Sequence, residues 1–209
     1  MTTSESGDAD ESGEAGEADG TAERDPTVAV VLDVLPHGRV DDDRPRYKKS
    51  PLAYALGEEQ FRLVELRLVD DADVSIGDRV VIEPRGARDT VEEVRDVDYD
   101  ALSNTAVSEL EYVVDEILTE HERRFVDFYN DAQPITIRLH QLNLLPGIGK
   151  KLRNNILDQR KRGPFESFED LEERISGLHN PKDILAERIM SELRDDDLKY
   201  KAFVRHDRE

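Results

Sequence analysis

The sequence has no cysteine, no tryptophan and no long apolar run. Without cysteine the chain can form no disulfide, no thiolate zinc site and no cysteine nucleophile, and it suits a reducing compartment. No apolar stretch approaches the roughly 18 residues of a membrane helix, and the first residues lack a basic-then-apolar secretion signal. We therefore expect a cytoplasmic protein.

Basic charge is also scarce. The chain holds 49 Asp and Glu against 29 Lys and Arg, a formal net charge of -20, and only 8 of the basic residues are lysine. A surface rich in carboxylates stays hydrated where high salt screens ordinary electrostatics. The composition thus predicts a halophilic source. We attribute the acidity to this habitat in preference to a binding partner.

The first half of the chain predicts a tail followed by a β domain. Residues 1–25 carry nine acidic side chains among small residues, which predicts a disordered acidic tail. Across residues 26–99, short β-branched runs alternate with Gly- and Pro-containing turns, as in a small barrel or sandwich. The predicted strands are TVAVVLDVL, FRLVELRLV, RVVIEP and TVEEVRDVDY. The stretch LAYALGEEQF fits either a helical turn or a strand.

Residues 100–133 change to a helical period, with Ser103 as N-cap and Pro134 as the stop. We interpret them as connecting helices that pack between two domains. From residue 134 to 209 the charge is nearly balanced, with 15 basic and 14 acidic residues. Between Arg138 and Arg162 seven basic residues stand against one acidic residue, and such an island indicates a surface that faces an anion.

Within this island, the stretch ITIRLHQLNLLPGIGKKLRNNILDQRKRG predicts a helix, a tight hairpin and a second helix. Pro146 would end the first helix, while Gly147 and Gly149 can adopt positive φ and allow close approach. Backbone amides left pointing outward at the start of the second helix would bind a phosphodiester oxygen. Lys150 and Lys151 would place positive charge at the positive end of the helix dipole, which is unfavourable for the helix itself. Their presence there therefore favours an anionic ligand.

Leu145–Lys150, LPGIGK, resembles the hairpin of the helix-hairpin-helix motif. By that resemblance the amides of Gly147, Ile148 and Gly149 would face a nucleic-acid backbone, with lysines and an arginine beside them. Such contacts position a strand without reading its bases. The resemblance implies these nucleic-acid-binding residues: Pro146, Gly147, Ile148, Gly149, Lys150, Lys151 and Arg153.

Two further helices are predicted after the hairpin. Ser167 would cap one of them, with Asp170 three residues on. Asn180 and Pro181 would open the other. The turn between these helices lacks Gly-x-Gly, so we expect it to pack rather than to bind.

Secondary contacts are predicted at two basic clusters. In RPRYKK an aromatic ring among cations could stack on a base, and a solvated loop is an equal alternative. The stretch RGAR at 85–88 is a weaker candidate. The clusters comprise Arg44, Arg46, Tyr47, Lys48 and Lys49 in one and Arg160, Lys161 and Arg162 in the other.

Signs of catalysis are missing from the sequence. The five histidines show no metal-ligand spacing, and Walker A, Gly-x-Gly-x-x-Gly and Gly-x-Ser-x-Gly motifs are absent. We predict no enzyme, no cofactor and no metal.

A wider resemblance covers nearly everything after the tail. RLHQLNLLPGIGKK, RGPFESFEDLEERI, NPKDILAERIMSEL, RFVDFYNDAQPIT and KYKAFVR together resemble the archaeal family DUF655. That resemblance implies an α+β protein: an OB- or SH3-like barrel, linking helices and an all-α helix-hairpin-helix, SAM-like domain. It also implies nucleic-acid binding, RNA more than DNA, near ribosomes or translation. A protein-interaction module is the first alternative and a nucleic-acid-processing enzyme the second.

Overall fold

The computed structural model describes residues 25–39 and 49–205, and the predicted acidic tail lies almost entirely outside them. We number the elements in chain order. The strands are β1 Thr27–Leu35, β2 Leu52–Gly57, β3 Leu63–Leu68, β4 Arg79–Glu83 and β5 Val91–Asp96. The α-helices are α1 Asn104–Glu120, α2 Glu122–Asp131, α3 Lys150–Arg160, α4 Phe168–Arg174 and α5 Pro181–Arg194. In the described ranges no helix is long and apolar enough to cross a membrane.

The strands form one antiparallel sheet in the order β4-β1-β2-β3-β5. All four predicted strands are confirmed, and the undecided stretch LAYALG is β2, paired to both β1 and β3. An irregularity between Val31 and Asp33 shifts the β1–β2 register, which increases local twist. The sheet curls into a half-barrel whose outer strands are β4 and β5.

Both faces of the curled sheet are apolar. Because side chains alternate along a strand, one set lines the inside of the half-barrel and the other faces the helices. The inner cluster includes Ala29, Val31, Ala53, Ala55, Val64, Leu66, Val80 and Ile82. The outer set, Val30, Leu32, Tyr54, Leu56, Phe61 and Leu63, belongs to the same cluster as the buried residues of the helices. The division into domains at residues 99 and 133 stays a prediction.

Helix α1 begins where the sequence indicates. The Ser103 hydroxyl oxygen accepts from the Ala106 amide, and the hydroxyl donates to Asp33 of β1 at 2.5 Å. Since this cap bonds to a strand, it fixes the start of α1 against the sheet. The predicted helical segment is two helices, α1 and α2, which meet at His121.

The predicted first helix of the hairpin is wrong for most of its length. Only Gln141–Leu144 is helical, as a single 3-10 turn, and an isolated bridge joins Pro134 to His140. Pro134 and the β-branched run Ile135, Thr136 and Ile137 disfavour an α-helix and favour a tight extended turn. Apolar residues of the predicted helix still pack in the core, since Leu142 and Leu145 are buried.

A buried carboxylate fixes the chain after α5. Glu192 is fully buried, and its oxygens accept from Arg188 Nε at 2.7 Å. They also accept from three backbone amides of the returning segment, at 2.8 to 3.0 Å: Ala202, Phe203 and Val204. The segment thereby seats the Phe203 ring 4.8 Å from that of Phe128. Sequence periodicity gave no sign of this role, because Glu192 looks like any polar helix residue.

Glu192→Ala should therefore lower the free energy of unfolding by about 3–5 kcal/mol, because it leaves three backbone amides and the Nε of the largely buried Arg188 without their acceptor. Glu187→Ala on the exposed face of α5 is the control and should change it by less than about 0.5 kcal/mol. Urea unfolding of both variants at one fixed salt concentration measures the difference. Equal midpoints for the two variants would contradict this role of Glu192.

Candidate nucleic-acid interface

The hairpin before α3 is a four-residue turn from Leu145 to Ile148. The Ile148 amide donates to the Leu145 carbonyl at 3.2 Å, and Gly147 has φ of 76°. Pro146 at the second position and glycine with positive φ at the third are typical of a type II turn. The predicted positive φ is confirmed for Gly147. Gly149 has φ of -79° and is the N-cap of α3.

The amides of this turn divide into used and open ones. Those of Ile148 and Gly149 donate to Leu145 and Gly147 carbonyls at 3.2 and 3.1 Å, which corrects the prediction that both face a ligand. In the part of the chain that the structure describes, no acceptor receives the amides of Gly147, Lys150 or Lys151. The open donors thus lie at Gly147 and in the first turn of α3.

Space around the two glycines is open. A Cβ added to Gly147 or Gly149 would meet no heavy atom within 4 Å. At Gly147 the positive φ accounts for glycine, whereas at Gly149 the backbone conformation suits any residue. Packing inside the protein therefore does not require glycine at position 149. Close approach of another molecule to this backbone would require it.

Lys150 and Lys151 are exposed at this opening. Within residues 25–39 and 49–205, no carboxylate forms an ion pair with either lysine. The neighbouring Arg153 is half-buried, and its guanidinium donates to Asn143 Oδ1 at 3.0 Å and to the side chain of Asn154. The predicted cluster therefore splits, with two free lysines at the tip and an arginine engaged beside it.

Asn143 holds the hairpin together, and sequence reasoning missed it. Its Nδ2 donates to the Ile148 carbonyl at 3.0 Å while its Oδ1 accepts from Arg153. One side chain thus joins the 3-10 turn, the hairpin and α3. The only available signal was an asparagine three residues before a Pro-Gly pair, which is too common to single out.

The basic residues at the far end of α3 have different surroundings. Arg160 Nη1 donates to the carbonyls of Asn130 and Ala132 at 2.8 and 3.0 Å, so it caps α2 from outside. Lys161 pairs with Asp158 at 2.8 Å, and Arg162 is exposed. Of these three, Arg160 is turned toward the protein and is poorly placed for the predicted ligand contact.

A second turn has the same backbone form as the first. The Leu178 amide donates to the Ile175 carbonyl at 3.1 Å, and Gly177 has φ of 89°. The helix that follows begins with Pro181, which has no amide hydrogen, after Asn180 with φ of 49°. This turn therefore offers fewer amide donors than the first.

The remaining predicted contacts lie in the stretches RPRYKK and RGAR. Arg44, Arg46, Tyr47 and Lys48 lie outside the described residues, and Lys49 Nζ donates to the Arg39 carbonyl at 3.1 Å. In the RGAR stretch, Arg88 donates to the Ile82 carbonyl.

Among the described residues, sequence reasoning missed one group with metal-ligand potential, because Glu58 lies far along the chain from Glu120 and His121. Ligand atoms of Glu58, Glu120 and His121 lie within 4.8 Å of one another. Arg79 pairs with both of these carboxylates, so a guanidinium already offsets part of their charge.

His140 lies under the interface and is 6% exposed. Its Nδ1 accepts from the Leu142 amide at 3.2 Å. Burial, with the positive charges of Arg160 and Arg153 added, holds the pKa of His140 below its ordinary value. A neutral imidazole therefore accepts from the Leu142 amide and caps the 3-10 turn at neutral pH.

Fold and site together define an α+β protein in which a half-barrel is followed by five helices with an open glycine turn. The chain belongs to the family described as Protein of unknown function (DUF655), whose profile matches residues 25–205. The predicted resemblance is confirmed.

Two archaeal relatives support this membership. The uncharacterized protein MJ0038 of Methanocaldococcus jannaschii is 46% identical over 179 residues, which cover 85% of this chain and 79% of that protein. The crystal structure of Af1531 from Archaeoglobus fulgidus, a DUF655 protein, is similar with a TM-score of 0.77 and 40% identity. That match covers 86% of this chain and 99% of the other.

Acid should destabilise the protein through His140. Since the folded pKa is below the unfolded value of 6.5, the unfolded chain takes up the proton first, and stability is lost as pH falls below about 6.5. His140→Asn keeps an acceptor for the Leu142 amide, so its melting temperature should fall less between pH 7.5 and pH 5.5 than that of the wild type. His179→Asn, at an exposed histidine, is the control and should follow the wild type more closely. A His140→Asn profile parallel to that of the wild type would refute this.

Proposed function

We propose that this protein is a non-catalytic nucleic-acid-binding protein that holds the phosphate backbone at the Gly147 turn and the start of α3. The observation that carries the proposal is the open, uncapped start of α3. There the amides of Gly147, Lys150 and Lys151 have no acceptor among the described residues, and two exposed lysines stand beside them.

Physical chemistry favours a phosphate at this position. The first amides of a helix carry a partial positive charge of about half a unit, and they point along the axis toward an incoming anion. A side-chain N-cap would normally accept from these amides, and Gly149 provides none. An anionic oxygen from outside would take the place of the missing cap.

High salt is compatible with this kind of contact. At about 1 M salt the Debye length is about 3 Å, so long-range attraction between lysine and phosphate is largely screened. Hydrogen bonds from backbone amides act at contact distance, so salt weakens them less. An acidic protein that binds nucleic acid in salt should therefore rely on amides first and on lysines second.

The finer architecture that the family resemblance implies would suit this use. We infer that the half-barrel is OB- or SH3-like and that the helices form a helix-hairpin-helix, SAM-like unit, as the family resemblance implies. Contacts of this kind position the nucleic-acid backbone without reading the base sequence. By the same resemblance we expect RNA rather than DNA as the ligand and a role near ribosomes, and from the composition we expect a cytoplasmic protein.

Gly149→Asp tests the proposal, because it should affect helix stability and binding in opposite directions. Aspartate is a good N-cap and its charge suits a helix start, so stability should hold or rise by a few tenths of a kcal/mol. The same carboxylate would occupy the open amides and repel a phosphate, so affinity should fall roughly tenfold or more. Fluorescence anisotropy with a labelled RNA stem-loop, and with DNA of the same sequence, measures binding over a range of KCl concentrations.

Asn104→Asp is the matched control, since it adds the same charge to the first turn of α1. It should leave the affinity near that of the wild type. If Gly149→Asp binds like Asn104→Asp, the helix start is not the binding site. If the wild-type protein binds neither RNA nor DNA, the protein-interaction alternative takes precedence.

A further inference from the structure

Ile137 is the most exposed large apolar side chain among the described residues. Its relative exposure is 106%, against 75% for Tyr112 and 46% for Ile76. It lies at the tip of the turn formed by residues 134–140, which we call the Ile137 turn. A single exposed apolar residue is ordinary on a protein surface. A large apolar residue that is fully exposed at the tip of a hydrogen-bonded turn is less common.

The Ile137 turn is held by several hydrogen bonds. The amides of Ile135 and Thr136 both donate to the Leu139 carbonyl, at 2.8 and 3.0 Å. The Thr136 hydroxyl oxygen accepts from the amides of Arg138 and Leu139, at 3.2 and 3.0 Å. The isoleucine is therefore presented in a fixed position, and little backbone entropy would be lost when it meets a partner.

The base of this turn is continuous with the candidate interface. The buried His140 pairs with Pro134, and its carbonyl accepts from the Asn143 amide at 2.8 Å. Asn143 in turn bonds to the Ile148 carbonyl and to Arg153. The Ile137 turn, the 3-10 turn and the glycine turn thus form one hydrogen-bonded unit.

Charge next to Ile137 indicates the kind of partner. Arg138 is exposed, and no carboxylate in the described ranges forms an ion pair with it. From Arg138 to Arg162 the sequence is basic in an acidic chain. An apolar tip beside an unpaired cation suits a polynucleotide, which offers flat apolar base faces between phosphates, better than it suits an apolar protein surface.

We propose that Ile137 acts as an apolar wedge that packs against an unstacked base of the strand whose phosphates the α3 start holds, with Arg138 at an adjacent phosphate. This proposal rests on the proposed function and adds substrate class to it. Bases in a continuous duplex are stacked on each other, whereas loops and bulges expose their faces. The wedge therefore predicts a preference for RNA with a single-stranded loop or bulge over an uninterrupted duplex.

Ile137→Ser tests the wedge without changing charge. Its affinity for a stem-loop RNA should fall roughly threefold to thirtyfold, as expected for the loss of a buried aliphatic contact. Its affinity for a fully paired duplex of the same length should change little. The slope of log affinity against log KCl should stay that of the wild type, because no phosphate contact is removed. A 2-aminopurine in the loop should change fluorescence on binding the wild-type protein and less on binding Ile137→Ser.

Ile76→Ser is the matched control, since it removes an exposed isoleucine from the loop between β3 and β4. It should bind both RNAs like the wild type. If Ile137→Ser binds the stem-loop like Ile76→Ser, the wedge is refuted while the phosphate contact stands. If Ile137→Ser weakens duplex and stem-loop equally, base packing is also refuted. A wild-type protein that binds neither of these RNAs refutes the wedge, and the proposed function is refuted as well if the protein also binds no DNA.

Discussion

The fold depends on α1, whose apolar face packs against both the sheet and α5. Its apolar face, from Ala106 to Leu118, lies in the same core as Val30 and Leu32 of β1 and Leu185 and Ile189 of α5. Because one helix serves both neighbours, the half-barrel and the helical part share a hydrophobic core. Burial of this kind is the dominant favourable term in folding, so the two parts are expected to stabilise each other.

From this core, polar contacts fix the direction of α3. Arg160 caps the end of α2, and Asn130 of α2 bonds to both the amide and the carbonyl of Phe165 just beyond α3. The C-terminal end of α3 is thus tied into the protein. Its N-terminal end meets open space, with a glycine N-cap and two exposed lysines. The candidate interface follows from this difference between the two ends.

The arginines and the two lysines of the candidate interface differ in the contacts that they make. Many described arginines bond to carboxylates or backbone carbonyls, as Arg62, Arg79 and Arg174 do. The planar guanidinium suits such fixed contacts, and it remains effective when partly buried. Lys150 and Lys151 make no such contact in the described ranges, so the basic island found in the sequence contains both structural and exposed cations. Only the fold distinguishes Arg160 from Lys151.

Local patterns in the sequence determined four of the five described strands, the Ser103 and Ser167 caps, the start of α5 and the positive φ of Gly147, because each depends on residues a few positions apart. The tertiary structure alone decided which amides stay open, how Asn143 ties the hairpin to α3, and that Glu192 holds the returning chain. It also reduced the predicted first hairpin helix to one 3-10 turn. These features depend on partners that meet only after the chain packs, and a local pattern carries no information about such partners.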